Sequence, residues 1–329
     1  STKLPMSLAA HGHRVLVLNP SVITTKAMYK YMKTLMGRSP NVYAGTLKNA
    51  MAINNGSKIT YMTYGRFLVD PDDWLRKHDV VICDECHSAD STTVLGIGCA
   101  LVGAEVCGVK LLIMATATPP GTAWTPHSSI TEIALDSSGT IPFYGLTLNI
   151  EQYRTGRHVI FCHSKAECTR VATEFLKGGI AAVTAWRGHL EAISEAKDLV
   201  VVATDALSTG YTGNFDSVTD CCSVVEEDID VDLNPTFTLS VCVKPADAAL
   251  RMQRRGRTGR GKPGTYRYVV KGAPPSGVTS TAAAWAAAET GYVWHGLRRD
   301  TICNYLEAYQ ENPYTCRIPN DPTEGARCL

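Results

Sequence analysis

The first candidate catalytic residues of this sequence are an acidic pair that follows an apolar run. Asp84 and Glu85 directly follow the apolar residues 80–83, and His87 lies two positions further on. A carboxylate at the carboxyl end of a strand can hold the magnesium ion of a bound nucleotide. The adjacent glutamate can orient and deprotonate a water molecule. These residue types favour phosphoryl transfer to water, although taken alone they would equally fit a polar strand end.

A second candidate group is rich in arginine and spans residues 253–261, Gln-Arg-Arg-Gly-Arg-Thr-Gly-Arg-Gly. Arg254, Arg257 and Arg260 recur at every third position, which predicts one shared helical face before the glycines open a loop. Converging guanidinium groups suit the charge that builds on a polyphosphate during phosphoryl transfer. A surface basic patch is the alternative, and the acidic pair elsewhere in the chain favours the phosphate function.

Both groups need sheets to position them, and short apolar runs alternate with helical stretches along the chain. Strands are predicted at 15–18, 59–62, 80–83, 111–115, 158–162, 181–185, 199–204 and 265–270. Helices are predicted at 25–36, 165–177, 251–257, 282–289 and 299–310. The alternation runs through two successive sets, which predicts two parallel α/β sheets and a ligand-binding cleft between them.

Composition narrows the class of protein. The chain has 329 residues, of which 45% are hydrophobic and 19% charged, so it can bury sizeable cores. A net charge of +1 excludes a broadly basic protein but allows a local basic stripe. No apolar run reaches the roughly 18 residues of a membrane span. The abrupt start at Ser1 suggests the interior of a longer polypeptide.

The twelve cysteines are too few for a disulfide scaffold. Cys83 and Cys86 form a CxxC pair, for which a redox or zinc function is one interpretation. No second CxxC completes a zinc site, so reduced and mostly buried thiols in a cytosolic protein are the favoured interpretation.

The order of the short motifs resembles that of the superfamily-two DExH helicases. Residues 84–87 look like motif II and 253–261 like motif VI, with the residues between them similar to motifs Ia (19–22), Ib (60–65), III (116–118), IV (160–165) and V (203–210). The residues within these motifs are similar to those of the non-structural helicases of hepaciviruses and pegiviruses. Residues 163–168 and 207–221 resemble the pegivirus sequences more than the hepacivirus ones.

This resemblance implies a fold and a domain organisation. Two tandem RecA-like α/β domains are expected at 1–120 and 121–275, followed by the beginning of a helical third domain at 276–329. The family's phosphate loop reads G-x-G-K-S-T, of which the sequence has only Ser1 and Thr2. The expectation is therefore a helicase fragment without the phosphate-loop glycines and lysine and without most of the third domain.

The resemblance also implies roles in nucleotide hydrolysis. Asp84, with Ser1 and Glu85, would bind magnesium, and Glu85 would be the general base. His87 and Gln253 would sense the γ-phosphate. The remaining roles are nucleotide contacts by Ser1, Thr2 and Gly210, arginine fingers at Arg257 and Arg260, and interdomain coupling through Thr116 and Thr118.

An enzyme that translocates along RNA of any sequence should contact phosphates and sugars and avoid the base edges. By resemblance the RNA-binding residues are Ser21, Thr63, Ser164, Lys165, Arg187 and Thr204. Val225 and Trp294 would bracket the strand, with Trp294 stacking on a base. The alternative for Trp294 is ordinary core packing, like that of nearby Trp285.

The expected parent activity is hydrolysis of ATP or another NTP with Mg²⁺, coupled to translocation on single-stranded RNA and to duplex unwinding during genome replication. The expected partners are RNA, the viral protease domain in cis, its cofactor peptide and other replication proteins. The expected location is the host cytoplasm at membranes derived from the endoplasmic reticulum, without direct membrane insertion. The alternative is a non-catalytic RNA-binding fragment, because the phosphate loop is incomplete.

Overall fold

The computed structural model describes residues 1–46, 50–190, 193–208, 213–231 and 237–329. The chain forms two compact units. Unit 1 comprises Ser1–Pro120, Asp228–Thr238 and Gly277–Leu329, and unit 2 comprises Gly121–Glu227 and Leu239–Ser276. Residues 277–329 thus share a unit with the first 120 residues, and the division into three domains stays a prediction.

Unit 1 is built on a six-stranded sheet in the order β3-β2-β4-β1-β5-β6. Its pairings are parallel except that between β2 and β3. Every position of β1, β4 and β5 is buried, as expected for central parallel strands with continuous apolar runs. The strands are β1 (Val15–Asn19), β2 (Asn41–Ala44), β3 (Met51–Ile53), β4 (Ile59–Thr63), β5 (Val80–Asp84) and β6 (Leu111–Ala115).

The helices of unit 1 come from the first 120 residues and from residues 277–329. They are α1 (Lys3–Ala10), α2 (Val22–Met36), α3 (Tyr64–Phe67), α4 (Pro71–Arg76), α5 (Ser91–Val106), α8 (Thr281–Glu289), α9 (Arg299–Glu311) and α10 (Glu324–Arg327). A π-helical segment, Thr290–Trp294, follows α8. A Cβ atom on Gly98 of α5 would lie 2.8 Å from the carbonyl carbon of Tyr305, so only glycine lets α9 approach this closely.

Unit 2 contains the second sheet, in the order β11-β12-β10-β13-β16-β7, with parallel pairings. Its strands are β7 (Ile130–Ala134), β10 (Arg157–Phe161), β11 (Ala182–Ala185), β12 (Leu199–Ala203), β13 (Ser217–Asp220) and β16 (Gly264–Tyr268). Two two-stranded sheets complete the strands: β8 (Ile141–Phe143) pairs antiparallel with β9 (Leu146–Leu148), and β14 (Ser223–Val231) pairs with β15 (Phe237–Pro245). The two α/β sheets predicted from the sequence are confirmed.

Two helices of unit 2 carry predicted functional residues at their ends. Helix α6 (Lys165–Lys177) begins after Ser164, whose hydroxyl accepts a hydrogen bond from the Glu167 N–H at 3.2 Å. Helix α7 (Ala248–Arg255) ends before Gly256. The prediction that Arg254, Arg257 and Arg260 share a helical face is therefore wrong, because the latter two lie in the loop that follows α7.

Across the described ranges, no helix combines the length and apolar character needed to cross a lipid bilayer. All twelve cysteines lie within the described residues, where none forms a disulfide, and eight of them are buried. The expectation that most of the thiols are buried is confirmed.

Candidate functional site

The carboxyl end of β5 brings Asp84 together with the first residue of the chain. Asp84 is 5% exposed, and its carboxylate accepts hydrogen bonds from the Ser1 hydroxyl and, at 3.1 Å, from the Glu85 N–H. The Tyr64 hydroxyl donates to the Asp84 carbonyl at 2.9 Å, and that of Tyr61 donates to the Ser1 carbonyl at 2.9 Å. Ser1 and Asp84, two of the three predicted magnesium-binding residues, are therefore neighbours at the carboxyl end of β5.

His87 contacts both Glu85 and Thr116, which lies in the segment after β6. The Nδ1 atom of His87 lies 3.3 Å from Oε2 of Glu85 and 2.7 Å from Oγ1 of Thr116. The same Thr116 hydroxyl accepts a hydrogen bond from the Thr118 N–H at 3.0 Å. Thr118 itself is buried. The structure thus joins the predicted base, the predicted phosphate sensor and both threonines within unit 1.

The environment of Glu85 changes its acidity. Partial burial raises the pKa of the Glu85 carboxyl above its ordinary value, and the negative charge of Asp84 adds to this rise, while His87 opposes it. Glu85 also has φ of 55°, a left-handed conformation that a non-glycine residue rarely adopts. A base with a raised pKa holds an abstracted proton better, as general-base catalysis near neutral pH requires.

The oxygen atoms around Asp84 fit magnesium. Mg²⁺ prefers oxygen ligands, keeps several waters and usually takes one or two protein carboxylates together with substrate phosphates. Ser1, Asp84 and Glu85 supply a hydroxyl and carboxylates of this kind. Among the described residues, no group of three His, Cys, Asp or Glu side chains could enclose a metal alone. A cation here would thus depend on water and nucleotide oxygens, which is the usual arrangement for Mg²⁺.

The arginines of residues 253–261 divide into buried and accessible groups. Arg254 is fully buried, where it donates to Asp205 at 2.8 Å, to Asp220 at 2.6 Å and to the Ser223 carbonyl at 3.0 Å. Such a charge is satisfied by its fixed partners. Arg255 is also buried, donating to Glu132 at 2.8 Å. These two arginines hold α7 in unit 2.

The loop after α7 carries the accessible cations. Arg260 is exposed, and its Nε donates to the Gly256 carbonyl at 2.7 Å. Arg257 is half-buried and its Nε donates to the Gln253 carbonyl at 3.5 Å. Burial, with a smaller contribution from Arg260, lowers the pKa of Arg257 to about 10, so it keeps its charge at neutral pH. Gln253 lies at the end of α7 with its side chain half-buried.

Three of the predicted RNA-contacting hydroxyls cap helices. Ser21 accepts from the Thr24 N–H at 3.3 Å at the start of α2, and Ser164 caps α6. Thr63 accepts from the N–H of Gly45 at 3.2 Å and of Arg66 at 3.4 Å, and it is 3% exposed. Ser21 and Ser164 are half-buried and reach the surface, whereas the burial of Thr63 gives that hydroxyl a local structural function.

The other predicted RNA-contacting residues of unit 2 lie at or near the surface. Lys165 and Arg187 are exposed, and the Lys165 ammonium lies 5.7 Å from the centre of the Trp186 ring. Thr204 directly follows β12 and Val225 lies in β14, both half-buried. Gly210 lies outside the described residues. Thr2 directly precedes α1.

Trp294 ends the π-helical segment in unit 1 and is 76% exposed. Nearby Trp285 is half-buried, and a Cβ atom on Gly325 would come within 2.9 Å of its ring. The exposure of Trp294 does not fit the core-packing alternative, and it leaves the indole face accessible to a ligand.

Sequence reasoning missed the residues that support the acidic pair. Tyr64 and the segment around Cys316 both contact residues 84–87, the latter through a hydrogen bond from Cys316 Sγ to the His87 carbonyl at 3.3 Å. The only local signal for Tyr64 was its place in the motif Ib-like stretch. Nothing near Cys316 in the sequence indicates the contact.

Similarity to known proteins agrees with this arrangement. The flavivirus DEAD domain family matches residues 4–130. Genome polyproteins of hepatitis C virus are similar over 95% of the chain, at 49% identity for genotype 6k and 48% for genotypes 6d and 4a. The chain spans about a tenth of the length of these polyproteins, 10% in each case. The greater similarity of residues 163–168 and 207–221 to pegivirus sequences stays a prediction. With its motifs in order on two α/β sheets, the chain belongs to the viral DExH helicases of the hepacivirus type.

Proposed function

We propose that this chain, within its polyprotein, hydrolyses nucleoside triphosphates and uses the cycle to move along single-stranded RNA and to separate duplexes. The observation that carries the proposal is the group formed by Ser1, Asp84, Glu85 and His87 at the carboxyl edge of a parallel sheet. Ligands of open α/β sheets bind at that edge. A hydroxyl and a buried carboxylate beside a base of raised pKa are the groups that phosphoryl transfer to water needs.

In this proposal each residue of the edge has one task. Ser1 and Asp84 hold a magnesium ion, which when bound offsets the negative charge of the nucleotide phosphates. Glu85 orients the attacking water and accepts its proton. His87, whose Nδ1 lies 2.7 Å from the Thr116 hydroxyl, keeps its ring orientation and responds to the γ-phosphate. Thr116 and Thr118 have the proposed interdomain coupling role, in which they transmit the response of His87 to the γ-phosphate.

The cations of unit 2 complete the proposed nucleotide chemistry. Arg257 and Arg260 stabilise the charge of the transferred phosphoryl group, and Gln253 senses it with His87. This assignment is supported by the similarity of residues 253–261 to motif VI and by the separation of these two arginines from the buried Arg254. Thr2 and Gly210 are proposed nucleotide contacts on the resemblance alone.

The proposed RNA contacts are sequence-independent. Hydroxyls and cations grip the backbone, while Val225 and Trp294 bracket the bases. The residues assigned to the backbone are Ser21, Thr63, Ser164, Lys165, Arg187 and Thr204. We also propose that the viral protease domain, its cofactor peptide and other replication proteins are partners, at host membranes derived from the endoplasmic reticulum.

The test uses the chain with Gly-Ser-Gly-Lys joined ahead of Ser1, so that a phosphate loop is complete. Glu85→Gln should keep nucleotide binding and lose about 10²–10⁴-fold in hydrolysis, the usual contribution of a general base. Glu105→Gln, at an exposed position of α5, is the matched control and should hydrolyse normally. Turnover of Glu85→Gln within twofold of the unsubstituted protein would refute the assignment. RNA binding without any hydrolysis would instead favour a non-catalytic RNA-binding fragment.

A further inference from the structure

The chain turns back on itself after α9, in residues 312–318, which we call the return segment. The Thr315 hydroxyl donates to the carbonyls of Tyr309 at 2.5 Å and Asn312 at 2.9 Å. The side-chain amide of Gln310 donates to the Ile318 carbonyl at 2.8 Å and accepts from its N–H at 2.8 Å. The side chains of Gln310 and Thr315 thus fix the backbone of the return segment to α9.

The return segment is also held from its other side. The Arg317 N–H donates to the Gly277 carbonyl at 2.6 Å, and the Arg317 carbonyl accepts from the Thr279 N–H at 3.0 Å. Thr315 and Ile318 are buried, at 4% and 1% exposure. A short irregular segment with this many fixed backbone groups has few alternative conformations.

Two thiols join the return segment to the loop that follows β5. Cys316 Sγ donates to the His87 carbonyl at 3.3 Å, and Cys86 Sγ donates in the opposite direction to the Tyr314 carbonyl at 3.7 Å. Both thiols are buried, with Cys86 1% and Cys316 7% exposed.

The loop needs such support because its backbone is unusual. Glu85 has φ of 55°, and its carbonyl accepts a hydrogen bond from the Ser88 N–H at 2.9 Å. The Cys86 N–H donates to the Ala115 carbonyl at 3.1 Å. A left-handed residue without the freedom of glycine persists only where its surroundings hold it. Here β6 holds the loop from one direction and the return segment from another.

We propose that the return segment positions Glu85 and His87, with Cys316 as the positioning residue. Cys316 acts by fixing the carbonyl of His87, two residues after the predicted base Glu85. The consequence for hydrolysis rests on the proposed function. In this proposal a displacement of α9 and the return segment would also displace Glu85. A change in the C-terminal residues could therefore change the rate of hydrolysis.

The first experiment needs no activity. Amide hydrogen exchange is measured on the chain as it is, for peptides covering residues 84–88, with Cys316→Ala, Cys316→Ser and Cys328→Ala. Serine keeps a donor of similar size, while Cys328 is exposed and provides the matched cysteine control. We expect Cys316→Ala to speed exchange in residues 84–88 by about tenfold, since loss of the tether favours local opening. Cys316→Ser should recover most of the protection and Cys328→Ala should match the unsubstituted chain.

The second experiment measures NTP turnover of the same variants on the chain with Gly-Ser-Gly-Lys ahead of Ser1. Misplacement of a catalytic group by about 1 Å can cost about 10²-fold in rate. We expect Cys316→Ala to lower kcat with little change in KM and to move the acid limb of the pH–rate profile, and Cys316→Ser to restore both.

The outcomes separate this proposal from the proposed function. Unchanged exchange in residues 84–88 of Cys316→Ala overturns the positioning role, whatever the activity. Faster exchange throughout α9 together with an unchanged pH profile and kcat also overturns it, because Cys316 would then serve packing alone. Absence of hydrolysis by the unsubstituted extended chain refutes the proposed function, while the exchange result still decides whether the return segment positions the loop.

Discussion

Trp294 gives the sharpest test of the RNA assignment, because a stacking residue and a core residue respond differently to truncation. The indole is 76% exposed, so about a quarter of its surface is buried. A fully buried aromatic side chain of this size covers up to about 250 Å². A quarter of that area is about 60 Å², worth about 1.5 kcal/mol at about 25 cal/mol per Å². This is well below the 3–5 kcal/mol, roughly, that truncation of a buried tryptophan costs.

Trp294→Ala should therefore lower the unfolding midpoint by only about 3 °C. A lost base-stacking contact costs about 1–3 kcal/mol, which is about a 5- to 150-fold weaker Kd. Trp294→Phe should recover much of the affinity, since a phenyl face still stacks. RNA-free NTP hydrolysis should stay unchanged, because Trp294 lies away from Asp84 and its neighbours in the sequence and shares no hydrogen bond with them in the described contacts.

The assay pairs a melting curve with a titration of labelled oligo-uridine, and Trp285→Ala serves as the control. Trp285 is half-buried against Gly325, so its truncation should cost stability and leave the affinity of the folded protein unchanged. A large fall in the midpoint of Trp294→Ala, with normal affinity of the folded fraction for RNA, would refute the stacking role.

Further predictions concern the charged residues of both units. Arg257→Ala and Arg260→Ala should each lower RNA-stimulated turnover by about 10³–10⁵-fold with the fold intact; normal turnover would assign that arginine to a surface patch. Asp220→Asn should destabilise unit 2 by about 3–5 kcal/mol in urea unfolding, because it removes the wholly buried carboxylate that pairs with the buried guanidinium groups of Arg251 and Arg254, and a loss under about 1 kcal/mol would contradict this. Hydrolysis should fall as the pH drops through the raised pKa of Glu85, above the ordinary 4.5, and His87→Ala should move this limb higher because His87 lowers that pKa; a limb at or below 4.5 would contradict the assignment.

The central strands and the capped helices could be predicted from the sequence because their signals are local. β1 and β12 are buried at every position, so they appear as uninterrupted apolar runs, and both were predicted to within one residue. The predicted bounds of α6 match the structure. Ser164 before the helix and Gly178 after it are the residue types that begin and end helices.

Helix α5 was missed because it lacks a local signal. Nine of its sixteen residues are buried, so its apolar residues show no 3.6-residue periodicity. Its glycines suggest a loop. In the structure they make room for neighbours, since a Cβ on Gly96 would come within 2.8 Å of the Tyr64 ring and one on Gly103 within 2.7 Å of the Leu75 side chain. Tertiary packing sets these positions, and propensity alone does not reveal it.

The same distinction separates the parts of the candidate site. Asp84, Glu85 and His87 are adjacent in the chain, and their chemistry could be predicted from their types. Their partners Ser1 and Cys316 lie 83 and 229 residues from the groups they contact, so only the fold brings them there.

The arginine repeat shows why spacing alone misassigns function. Equal spacing predicted one shared helical face for Arg254, Arg257 and Arg260, yet α7 ends at Arg255 and the burial of the three side chains differs. Arg254 faces Asp220, a carboxylate 34 residues away and wholly buried, so its charge is already satisfied. The two arginines beyond the helix end lie in a loop, where a guanidinium can meet a ligand. A charge-bearing motif therefore divides into structural and functional members according to where the acidic partners of the fold lie, and that information is absent from the motif.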